Sequence, residues 1–238
     1  MRSVKNYIET SLNESLLDDD DIFLDPENDK KVIEEWIKSH YKNTGKLTIF
    51  DDFIVDCSGG VYVKNKSIVS LTNGLFRWGK VDGNFTCSFT PITSLEGAPK
   101  KIIGGFDCCG CVKLKTLEGS PEYVDGTFSC DGCRNLKSLE GAPEEVCSSF
   151  ICSDCESLES LEGAPKEVGK NFHCDGCRNL KSLEGAPKEV GGYFNCRKCI
   201  NLKSLEGGPG NVMGYFICDD CESLKITDSD RKKYKIKD

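Results

Sequence analysis

The chain has 238 residues, a formal net charge of −8, sixteen cysteines and two histidines. That length admits one elongated domain plus a cap, and the spread negative charge argues against nucleic acid, which wants a basic stripe. No apolar run approaches a membrane span and residues 1–17 carry no signal-peptide core, so the sequence predicts a soluble, cytoplasmic protein with reduced thiols rather than a disulfide scaffold.

Taken in order, Val4, Ile8, Leu12 and Leu16 recur every four residues and predict a short amphipathic helix. Asp18–Asp21 reads as a solvated acidic break, because a calcium loop needs spaced ligands and a glycine. A second helix is expected from Pro26, with Val32, Ile33, Trp36, Ile37 and Tyr41 on one stripe. Residues 1–45 are therefore expected to form a helical cap or, as the alternative, a small partner-binding appendage. Lys46–Cys57 predicts two short strands around Asp51-Asp52, and Val61 and Val63 open a degenerate repeat in which Leu71 holds a core position. Its corner, Thr72–Lys80, is irregular.

Regular units then begin at Val81, Ile102, Val124, Val146, Val168, Val190 and Val212, on the template V-x-x-x-F-x-C-x-x-C-x-x-L-x-S-L-E-G-A-P. The first template cysteine falls at Cys87, Cys108, Cys130, Cys152, Cys174, Cys196 and Cys218, a spacing of 22 residues with one step of 21. A period in the twenties signals stacked turns, because one unit cannot bury its Val, Phe, Cys and Leu alone. Phe194 and Cys196 sit two apart and point to one face of a strand, with Asn195 on the other; Leu202 and Leu205 fill the core from the opposite wall, and Glu206–Pro209 forms a corner. The expected fold is a mainly β repeat solenoid over residues 46–227, a parallel sheet of about eight turns, with the N-terminal α-helical cap. The polar tail 228–238 predicts a closing edge strand or a disordered end.

The pattern resembles the leucine-rich repeat family, L-x-x-L-x-L-x-x-N/C-x-L, over about residues 61–224. Phe194 and Cys196 stand in its strand positions and Cys199 in its Asn/Cys ladder position. The order Cys199-x-x-Leu202-x-x-Leu205…Pro209-x-x-Val212 is similar to cysteine-containing repeats of bacterial and bacteriophage proteins. The chain departs from the family in carrying four residues from Val190 to Phe194, two cysteines per turn, and Gly207 where a second apolar strand residue is expected. The resemblance implies a protein that binds other proteins, including a role against a host protein or in a virion.

Six units carry C-x-x-C, and successive pairs are 18 residues apart, which matches a four-cysteine zinc signature. A buried thiol ladder is the competing reading. Val63 and Thr90 occupy cysteine positions in early repeats, free cysteine behaves as a small hydrophobe, and the two cysteines of a unit belong to separate columns. Cys109 and Cys147 fall off the template and are expected to be the exposed, reactive thiols. A cysteine hydrolase is not expected, since His40 lies on the cap and His173 faces away from the strand cysteines. Glu96, Glu118, Glu140, Glu162, Glu184 and Glu206 stack at one corner, where Lys115, Lys137, Lys181 and Lys203 are expected to offset them.

Recurring residues build the scaffold, so function is sought where the turns differ. The outward position between Phe and Cys reads Thr86, Asp107, Ser129, Ile151, His173, Asn195 and Ile217, and the one before Phe reads Asn84, Gly105, Thr127, Ser149, Asn171, Tyr193 and Tyr215. Ile151, His173, Tyr193, Asn195, Tyr215 and Ile217 have the composition of a protein-binding surface. The expected function is non-catalytic binding of a protein partner, without cofactor, nucleic acid or membrane. A zinc or thiol-redox protein and a structural assembly component are the alternatives.

Overall fold

The structure is a computed structural model that describes residues 26–236. The predicted helix through Val4, Ile8, Leu12 and Leu16 and the acidic stretch Asp18–Asp21 lie outside the described residues. Helix α1 (Pro26–His40) buries Ile33, Trp36 and Ile37. Four short strands follow: β1 (Tyr41–Asn43), β2 (Leu47–Ile49), β3 (Ile54–Cys57) and β4 (Val61–Val63). Beyond Arg77–Val81, each regular turn contributes two strands of two residues, one ending on the template Val and one starting on Phe.

The strands build two sheets of nine rather than the single sheet expected. One is a Phe sheet, running from β1 and β4 through Phe85–Thr86 to Phe216–Ile217. The other is a Val sheet, running from β2, β3 and Arg77–Val81 to Asn211–Val212. The three residues between Val and Phe explain the division. They bend the chain and start a second strand, so Val lines its own wall. Pairing is parallel within both sheets except at the N-terminal end, where β1 pairs with β4 and β2 with β3 in antiparallel fashion. The degenerate repeat reads as expected: Val61 pairs with Phe85 and Tyr62 with Thr86.

Each corner has a physical cause. In L-E-G-A the fourth N–H returns to the Leu carbonyl, as in Ala142 N to Leu139 O at 2.9 Å. The glycine adopts φ between 73° and 88° in all six copies, the demand of a type II turn. C-x-x-C is also a turn: Cys133 N reaches Cys130 O at 3.2 Å, and the residue before the second cysteine is left-handed in every turn, with φ from 51° to 72°. Glycine fills that site three times, but Phe89, Asp154, Lys198 and Asp220 fill it otherwise.

The core is made of columns. Phe85, Phe106, Phe128, Phe150, Phe172, Phe194 and Phe216 stack face to face, with centroids 5.0 to 5.8 Å apart. At the N-terminal end the stack meets Tyr41, Trp78, Phe76 and Trp36, which close the core with tilted and edge-on rings. At the other end Tyr234 lies on Phe216. Tyr234 belongs to helix α2 (Asp228–Tyr234), which corrects the expectation of an edge strand or a disordered tail. Thr227 and Asp230 form a capping box there, satisfying two amides that a strand would have left open.

Candidate interaction surface

In-register pairing of the Phe strands aligns Thr86, Asp107, Ser129, Ile151, His173, Asn195 and Ile217 in one outward column. The candidate residues therefore do come together: Ile151 pairs with His173, and Asn195 with Ile217. Tyr193 and Tyr215 stand beside them with centroids 5.7 Å apart, and they are 43% and 72% exposed. Gly214 makes room for this pair, because a Cβ there would lie 2.8 Å from Tyr193 Cδ1.

Below the tyrosines a polar knot fixes the middle of the column. Asp175 Oδ1 accepts from Ser153 Oγ at 2.7 Å and Asn195 Nδ2 at 3.1 Å, and lies 3.7 Å from His173 Nδ1. The His173 contact, followed by Ser153, holds the Asp175 carboxyl below its usual range. These contacts hold Asn195 and Asp175 in place and set His173 beside them. Met213, 73% exposed, adjoins the patch in sequence and was missed because it falls on no repeated apolar position. Phe89 is a further unforeseen exposed apolar residue, left-handed at φ 57°, with its ring over Gly110.

The cysteines form the ladder. All sixteen are free thiols. The second cysteine of each turn donates to the carbonyl of the first cysteine one turn earlier: Cys133 to Cys108 at 3.2 Å, Cys155 to Cys130 at 3.3 Å, Cys177 to Cys152 at 3.1 Å and Cys199 to Cys174 at 3.2 Å. Among the described residues no group of three His, Cys, Asp or Glu is arranged to hold a metal ion. The thiol of the next turn and then burial push Cys87, Cys108, Cys130 and Cys196 well above the ordinary thiol range; for Cys152 and Cys174 burial comes first. Cys111 is drawn down to about 7 by its hydrogen bond with Cys87, yet it is fully buried.

Two expectations about charge and thiols change. Cys109 is half-buried against Ser129 Oγ at 3.0 Å, and burial pushes its thiol to about 12, so of the two off-template cysteines only Cys147 is exposed. Cys221, in the half-open last turn, has its thiol lowered by the hydrogen bond with Cys196. Among the described residues no ion pair joins the lysine column to the glutamate corner. Lys181 instead reaches Glu159 at 2.6 Å, the one acidic residue in the lysines' own column.

No protein family, curated protein or solved structure matches the chain. Among the described residues no helix is long and apolar enough to cross a membrane.

Proposed function

We propose that the chain is a non-catalytic protein-binding module that holds its partner on the outer face of the Phe sheet, at Ile151, His173, Tyr193, Asn195, Tyr215 and Ile217. The observation that carries this reading is the pairing of the exposed Tyr193 and Tyr215 rings just before the last two strands of the Phe sheet, beside half-buried Ile217 and in register with the His-Asn-Asp knot. Rigid aromatic anchors flanked by satisfied polar groups are the composition of an interface hot spot. Catalysis has no support in the thiols, whose column is buried and whose hydrogen bonds end on carbonyls.

The repeat pattern supports a place beside the leucine-rich repeats of bacterial or bacteriophage style, and with it a cytoplasmic role against a host protein. The two strands per turn differ from the strand plus helix or 3₁₀ segment of that family. The test is capture from bacterial lysate with wild type and with Tyr193→Ser, Tyr215→Ser and Ile217→Ser combined, followed by titration of the purified partner. A partner bound by wild type and lost by a variant with an unchanged melting curve supports the reading. Equal binding by both moves the site off this face.

A further inference from the structure

Every turn of the Phe sheet from Phe85 to Lys198 sends three N–H groups, two residues apart, to the carbonyls of the next turn. Phe172, Cys174 and Gly176 donate to Tyr193, Asn195 and Arg197, each at 2.8 Å; Phe194, Cys196 and Lys198 donate to Tyr215, Ile217 and Asp219 at 2.9, 2.8 and 3.0 Å. The same row in the last turn is Phe216, Cys218 and Asp220. Among the described residues no further turn follows and no carbonyl receives these three. Helix α2 covers the Phe216 ring through Tyr234, whose hydroxyl donates to Pro209 O at 3.1 Å, but offers the row no backbone partner. Cys218, Cys221 and Leu224, whose counterparts in the preceding turn are fully buried, are only partly covered.

Natural sheets blunt such edges with lysine, proline or a bulge. This edge reads Tyr215-Phe216-Ile217-Cys218-Asp219-Asp220; it has no lysine, proline or bulge, and its two aspartates are each met by Arg197 at 3.4 Å. The other end is closed by antiparallel β1 and β2 and by the aromatic cluster under α1.

We propose that the Phe216–Asp220 edge accepts an extended segment of a protein partner as an additional strand of the Phe sheet. The inference rests on the binding-module reading and specifies how the partner is held. A row of amides at two-residue spacing calls for a β-strand backbone. Side chains of the added strand alternate. Outward ones fall beside Tyr215 and Ile217 as Tyr193 and Asn195 do now, which favours aromatic or aliphatic residues. Inward ones meet half-covered Cys218 and the Tyr234 ring, which favours small ones. The Lys233 ammonium lies 4.6 Å from the Tyr234 ring centre, and Lys232 and Lys235 adjoin it in sequence, so acidic residues flanking the strand complement this end.

The test uses the full chain and three synthetic peptides, read by amide hydrogen exchange. All carry Tyr-Ala-Ile-Ser, the outward residues of Tyr215–Cys218 with small residues at the inward positions. One is flanked by glutamates, one by lysines, and one is the glutamate peptide N-methylated along its backbone. With the glutamate peptide at ten times its Kd, the Phe216, Cys218 and Asp220 amides should exchange about tenfold more slowly. The lysine peptide should bind more weakly, and the N-methylated one should leave all three amides unchanged. Unchanged exchange with every peptide at millimolar concentration overturns the proposal. So does protection that rises with protein concentration alone, which assigns the edge to a second copy. A captured partner lost in the triple serine variant, with these amides still unprotected in its complex, leaves the face reading standing and removes this one.

Discussion

The ring of Tyr234 lies 4.2 Å from that of Phe216, centroid to centroid, and within 24° of parallel. A residue from the terminal helix thus continues the phenylalanine column by one further ring. Tyr234→Ala should fray the last turn, seen as faster hydrogen exchange over residues 212–224, with the middle turns unaffected. Phe150→Ala, flanked by rings on both sides at 5.2 and 5.4 Å, should cost about 3–5 kcal/mol in urea unfolding. Equal global losses for the two variants would contradict a column that is closed at its end and continuous in its middle.

The glycines of the two corners separate backbone strain from crowding. Gly132 and Gly163 both have positive φ, 66° and 84°. A Cβ on Gly132 would find nothing nearer than 3.9 Å, whereas on Gly163 it would meet Glu140 backbone at 2.4 Å. Gly132→Ala should therefore cost about 1–2 kcal/mol, the left-handed penalty alone. Gly163→Ala should cost clearly more, because the turn beneath must move. Chemical denaturation of the pair measures the difference, and similar values would mean the corners are less tightly stacked than described.

Much of this was legible in the sequence because stacking turns each position into a column. Phe, Cys and Leu at fixed offsets had to be buried together, and Val61 and Val63 revealed the degenerate turn by filling the same columns. The variable ribbon from Thr86 to Ile217 was legible for the same reason. The Val sheet was not, because two-residue strands leave no alternation to detect. Helix α2 was hidden by a tail whose lysines and Tyr234 fit an edge strand equally well; only the Thr227–Asp230 box marks its start. The metal-like spacing of C-x-x-C concealed a turn, and Gly110, Gly132 and Gly176, with Asp154 and Asp220, in its left-handed position were the overlooked signal.

Asp131 gives a pH dependence of defined sign. Burial, then Asp154, Asp175 and Asp107, raise its carboxyl above the usual range. The folded state therefore holds this proton more tightly than the unfolded chain. Its contribution to stability is full below the unfolded value and is lost as pH rises through the folded one. Asp131→Asn should raise Tm at neutral pH by about 1–2 °C, a partly exposed group being worth well under about 1 kcal/mol. The gain should vanish at pH values below about 3.9, the unfolded carboxyl value. A gain that persists in acid would assign the effect to something other than charge.

Thiol labelling reads the ladder directly. Iodoacetamide on the folded chain should modify Cys147 first and Cys221 next, with Cys218 slower because burial lifts its thiol to about 11. Cys109 and the interior cysteines should label only on unfolding. Mass-resolved modification of Cys133 or Cys155 in the folded protein would show that the column opens.

Since each turn is bonded only to the turns on either side, the molecule behaves as a ruler whose length is set by copy number. The segment from Asp131 to Cys152 is one full period, and its two boundaries present the same rings, thiols and carbonyls. Losing or gaining such a segment would leave every remaining contact type intact. It would move the tyrosine end relative to the helical cap by one strand spacing, about 4.8 Å. The separation between the two ends is thus adjustable in fixed steps without redesign of either.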